Sequence, residues 1–144
     1  MNNNTAIPSW YKTVAIIAVI WNIMGVIAFS GHVMMSPEAI ATLPAAEQEL
    51  YQNIPVWVTI AFAIAVFAGL LGSIALLLRK PLALPLLISS LVGIIIQDTY
   101  SFLFTNTIKI YGNSVLIMPS VVIVIAVFLI WLANKAKNNH WLDH

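Results

Sequence analysis

The sequence contains no cysteine and little charge: Asp, Glu, Lys and Arg make up only 8% of its 144 residues. Without cysteine there is no disulfide scaffold, no thiol redox chemistry and no thiolate metal site. The formal net charge of +1, from six basic and five acidic side chains, provides no basic surface for nucleic acid. The sequence also lacks a glycine-rich phosphate loop, paired carboxylates within one apolar segment, and His with acid at metal-ligand spacing. His140 and His144 fall in a polar tail and make weak ligands. These absences lead us to expect no metal, no cofactor and no enzymatic activity.

What is present is apolar. Hydrophobic residues make up 61% of the chain and mean hydropathy is +0.96, whereas a soluble domain is about half apolar and about a quarter charged. A water-soluble fold would leave this surface uncovered. Crossing a bilayer core takes about 20 apolar residues in a helix, and four such stretches occur, at about 13–34, 55–78, 82–104 and 114–133. The expected fold is an all-α membrane protein, a four-transmembrane-helix bundle forming one domain over 1–144.

The first stretch follows Trp10, Tyr11 and Lys12, which suit an interfacial anchor, and lacks a small-residue cleavage site, so it reads as a retained span. Residues 36–53 carry Glu38, Glu47 and Glu49; Ser36 before Pro37 and Glu38 is a helix start, and one or two short helices on the outer face are expected. The second stretch stops at Arg79-Lys80-Pro81, leaving so short a connection that the second and third helices must be antiparallel neighbours. Residues 105–113 read as a polar linker, Pro119 as a local cap or kink, and 134–144 as a tail that frays.

Cytoplasmic flanks are enriched in Lys and Arg. Lys12, Arg79, Lys80, Lys135 and Lys137 fall on one side of the spans and Lys109 alone on the other. Both termini are therefore expected in the cytoplasm and the acidic loop outside.

Helices in lipid associate through small residues and interhelical hydrogen bonds. Ala61, Ala65, Gly69 and Ser73 recur every four residues and form a packing face, with Gly25 and Gly93 at similar positions on the first and third spans. Asn22, Gly25 and His32 share one face of the first span; Ser90, Gly93, Gln97 and Tyr100 share one face of the third, with Asp98 at its margin. Counting inward from the ends, Asn22 and Ser90 lie near the midplane, with His32, Gln97, Asp98 and Tyr100 further out. Asp98 is the only acidic residue inside a span, and an ionisable group there usually pairs or lines a cavity. His32 is its most attractive partner, giving a proton- or substrate-binding pair; the plainer alternative is a wetted Asp98 and an interfacial His32. Asn22 and Gln97 equally suit register-fixing hydrogen bonds. Trp21, Trp57 and Trp131 read as lipid-facing or interfacial.

The strings Trp21-Asn22-Ile23-Met24-Gly25, Leu43-Pro44-Ala45-Ala46-Glu47-Gln48-Glu49-Leu50-Tyr51, Pro55-Val56-Trp57 and Ala61-Phe62-Ala63-Ile64-Ala65-Val66-Phe67 go together with Leu76-Leu77-Leu78-Arg79-Lys80, Gln97 with Tyr100, and Ile117-Met118-Pro119. In these the chain resembles, over nearly its whole length, a family of small bacterial four-span inner-membrane proteins often labelled sugar transporters. The resemblance implies the four-span topology and a bacterial inner membrane, and brings no catalytic or substrate-binding residue set. Two functions are weighed. One is binding or passage of a small solute along the seam of Asn22, His32, Ser90, Gln97, Asp98 and Tyr100, with a homo-oligomer needed to enclose the route. The other is a non-catalytic accessory or structural subunit of a larger membrane complex. Sugar sites combine aromatic platforms with several hydrogen-bonding groups, for which Tyr100 and Gln97 are the best candidates.

Overall fold

The computed structural model describes residues 6–52 and 54–143, so Asn53 and His144 lie outside the described residues. The helices are α1 (Ser9–Val33), α2 (Pro37–Ala41), α3 (Ala45–Tyr51), α4 (Val56–Leu77), α5 (Ala83–Leu103), α6 (Thr107–Tyr111) and α7 (Ile117–Asn138), with a 3-10 turn over Asn113–Leu116. Helices α1, α4 and α5 are each long and apolar enough to cross a membrane, as is α7 with the turn before it. The chain is a multi-pass integral membrane protein, an all-α bundle of four long helices. We call its two ends basic, after Lys12, Arg79, Lys80, Lys135 and Lys137, and acidic, after Glu38, Glu47 and Glu49.

Local chemistry sets the helix ends. Pro8 and Pro55 hold extended backbone before α1 and α4. Ser36 Oγ accepts from Ala39 N at 3.1 Å and Pro37 takes the first helical position, so α2 starts where the sequence indicates. Gln48 Nε2 donates to Leu43 O at 2.7 Å and ties α3 back to the turn after α2. Residues 105–113, read as a linker, contain α6, whose Thr107-Ile108-Lys109-Ile110-Tyr111 is too short to show helical periodicity. Pro119 falls in the first turn of α7, where backbone amides have no partner to lose, so no kink is required.

The expectation of a fraying tail is corrected. Helix α7 continues to Asn138 and closes in a Schellman turn: Trp141 N donates to Ala136 O at 2.8 Å, His140 N to Lys137 O at 3.2 Å, and His140 is left-handed at φ 58°. The reversal folds Trp141 and Leu142 inward, to 4% and 7% exposure. Trp141 meets Tyr11 and Trp10 edge-on at 5.6 and 6.0 Å. The α4 end repeats the motif, with Arg79 at φ 57° and Lys80 N donating to Ala75 O at 2.7 Å. The two turns then join, since Asp143 N donates to Arg79 O at 2.7 Å and the two side chains pair at 3.8 Å. Two apolar side chains outweigh the polarity of 134–140, which had hidden them.

Packing follows the small-residue stripe. Ala61, Ala65, Gly69 and Ser73 are all buried. A Cβ on Gly93 would stand 2.6 Å from Ala61 O and 2.9 Å from Ala65 N, so α5 approaches α4 backbone to backbone. Helix α1 lies against α4, with Gly25 facing Val66, and α7 lies against α5. The neighbours therefore run α1, α4, α5, α7 in an arc. Its two outer helices join at the basic end, in a core that includes Tyr11, Ala15, Ala18, Leu129, Leu132, Ala133 and Trp141. Along the rest of their length α1 and α7 have no extensive contact among the described residues.

Candidate functional site

The gap inside the arc is a cavity of about 450 Å³, walled by all four long helices. It reaches from Leu87, which belongs to the basic-end core, past Gly69 and Trp21 near mid-bundle to Phe62, Asp98 and Met118 toward the acidic end. Met24 of α1 and Met118 of α7 line it yet are 57% and 60% exposed, so the cavity opens between these two helices. Most of the lining is apolar. The polar exceptions are Asn22, Ser90, Gln97 and Asp98, and Asp98 is the one titratable side chain among the described lining residues.

The midplane layer forms, but through α4. Asn22 Nδ2 donates to Ala18 O at 2.8 Å and to Ser73 Oγ at 2.9 Å, and Ser73 Oγ donates to Gly69 O at 2.8 Å. Ser90 Oγ donates to Ala65 O at 2.6 Å. Gly69 is what lets these groups converge: a Cβ there would overlap Asn22 Oδ1 and stand 3.0 Å from Ser90 Oγ. The hydroxyl protons and the Asn22 amide are thus committed to the bundle. Asp98 Oδ2 is different, being buried with no hydrogen-bond partner among the described residues.

A second, smaller pocket of about 230 Å³ lies at the acidic end under α3 and α6. His32, Tyr51, Tyr100, Tyr111, Phe62 and Gln97 are among its walls. His32 packs between rings, 5.1 Å from Tyr51 and 5.8 Å from Phe62, the latter stacked at 24°. Tyr100 meets Trp57 edge-on at 5.6 Å and stacks on Phe104 at 6.3 Å. At the rim, partial desolvation raises the Tyr111 phenol above its ordinary range, and the Glu47 carboxylate and Tyr51 push the same way. Tyr111 therefore remains a hydrogen-bond donor there.

The expected His32–Asp98 pair does not form. Gln97, Tyr100 and Ser101 turn toward the outer pocket at i, i+3 and i+4, while Asp98, one residue from Gln97, turns about 100° away into the inner cavity. Helix α4 stands between α1 and α5, and Phe62 covers His32. Phe62 and Gln97 line both chambers and form the partition between them. Asn22, Ser90, Gln97 and Asp98 thus share the inner cavity, and His32, Tyr100 and again Gln97 the outer pocket.

Sequence reasoning missed Phe62, Met118 and Trp21 as cavity walls, and Tyr51 and Tyr111 as pocket walls. An apolar residue in an apolar span gives no sign of whether it faces a cavity or lipid; Trp21, unusually deep for a belt residue, was the one available hint. No family model, curated protein or solved structure matches this chain.

Proposed function

We propose that this membrane protein binds and passes a small solute through the chamber between α1, α4, α5 and α7. The observation that carries the reading is the cavity itself. Its volume of about 450 Å³ falls in the range of ligand sites, and a few polar groups converge on one wall of an otherwise apolar lining. All of its lining comes from a single copy, and it stays open between α1 and α7. Access from the acidic end runs through the outer pocket past Phe62 and Gln97, while the Tyr11–Trp141 core closes the basic end. Passage then requires α1 and α7 to part there. With most Lys and Arg at the basic end, the acidic end faces out of the cytoplasm in this reading. The role is non-catalytic: Asp98 has neither His32 nor a nucleophile beside it. A sugar is a poor fit, because Ser90 and the Asn22 amide already spend their protons within the bundle.

The test uses Ala126→Phe, which fills the cavity from α7, and Val124→Phe, which points a similar ring from an exposed position on the same helix. Protein in nanodiscs is mixed with a small-molecule library, and retained compounds are read by native mass spectrometry. Wild type and Val124→Phe are expected to retain a compound that Ala126→Phe loses. In reconstituted vesicles, Asn22→Ala should alter uptake of that compound with expression and oligomer size intact. Equal retention by all three proteins, or retention by none, refutes the reading.

A further inference from the structure

Resting on that reading, we infer that the inner cavity selects an organic monocation, a weakly hydrated ammonium with apolar substituents, for which Asp98 is the counter-ion. An anion would meet Asp98, the one titratable lining group among the described residues, as a like charge. A small inorganic cation demands several oxygen ligands in exchange for its water. Here Asn22 sits level with Ser90, about two helical turns below Gln97 and Asp98, and the Ser90 hydroxyl already donates to Ala65 O. A charge spread over alkyl or aryl groups surrenders little hydration, so one carboxylate suffices. Trp21 and Phe62 add aromatic rings to the same lining, surfaces that attract such cations.

One oxygen of the Asp98 carboxylate is buried without a partner among the described residues. An ionised oxygen buried without a partner is costly in an apolar setting and must take up a proton or a cation. No Lys, Arg or His lines the cavity among the described residues, so the protein does not supply one. The approach is also biased. Glu38, Glu47 and Glu49 against Lys109 give the acidic end a negative field that concentrates cations at the outer pocket.

Two probes of the same shape isolate the charge: phenyltrimethylammonium, and tert-butylbenzene, in which carbon replaces the ammonium nitrogen. Binding of each to protein in nanodiscs is measured by saturation-transfer NMR against empty nanodiscs, for wild type, Asp98→Asn, Asp98→Glu and Ala126→Phe. The cation should bind wild type more tightly than the neutral probe. Asp98→Asn should weaken it about a hundredfold, as loss of one partner of a buried charge pair does, and leave the neutral probe unchanged. Asp98→Glu should keep the preference for the cation, which guards against a folding defect in the amide variant. Equal binding of the two probes to wild type, or equal cation binding to wild type and Asp98→Asn, overturns the inference and leaves the chamber standing. Binding of neither probe to wild type, or binding of both to Ala126→Phe as to wild type, overturns the chamber and the inference together.

Discussion

Tyr11 joins three parts of the molecule through one ring. Its hydroxyl donates to Leu76 O at 2.6 Å, near the α4 turn, while the ring carries Trp141 from beyond α7. Of these two contacts the packing matters more. Tyr11→Phe removes one buried hydrogen bond and should lower stability by about 1 kcal/mol. Trp141→Ala empties a large buried volume and should cost about 3 kcal/mol or more. Thermal unfolding of both variants in one detergent gives the comparison. At this scale the sequence marked the polar members of the site but not their partners. Asn22, Ser90, Gln97 and Asp98 stand out because almost everything around them is apolar. Which neighbour each one meets depends on the order of helices round the arc, and helical spacing does not encode that order. His32 and Asp98 lie at similar depth, yet α4 separates them.

Among the elements, α4 is the spine; Gly93 of α5 packs against its backbone whereas Gly31 of α1 meets nothing, so their loss should have unequal effects. Gly93→Ala drives a methyl into the Ala61 carbonyl, which cannot move aside, and should destabilise by about 1–3 kcal/mol. Gly31→Ala, with no atom within 4 Å of the new Cβ, should instead be neutral or stabilising by up to about 1 kcal/mol through helix propensity. Chemical denaturation followed by circular dichroism distinguishes the two, and equal effects would refute the close approach. The α4 stripe was legible because small residues at every fourth position have few other uses in a span. The α4 to α5 hairpin was legible from the short Arg79-Lys80-Pro81 connection. The closing turn after α7 was not, because its left-handed residue is His140 rather than the glycine that usually signals such a reversal.

For the whole molecule, the arc makes the two ends unequal. The acidic end is roofed by short helices around a pocket; the basic end is sealed by a continuous core. Removing residues 141–144 should unseal it. In a chain without cysteine, Ala18→Cys is a clean reporter of this, since Ala18 is buried in that core. A membrane-impermeant thiol reagent supplied to the basic side should label the truncated protein and spare the full chain. The four-span plan itself was legible from hydropathy alone, because lipid leaves a chain with this composition few other folds. That the arc encloses a chamber was not, since it depends on where α1 and α7 part. The seal also has a bearing on assembly. Trp141 follows all four long helices in the chain, so α1, the first of them to be synthesised, cannot complete its packing until α7 is in place. Closure of the basic end is therefore a late step of insertion, and before it Tyr11 and the α4 turn lie uncovered, as they would in any nascent chain stalled before residue 141.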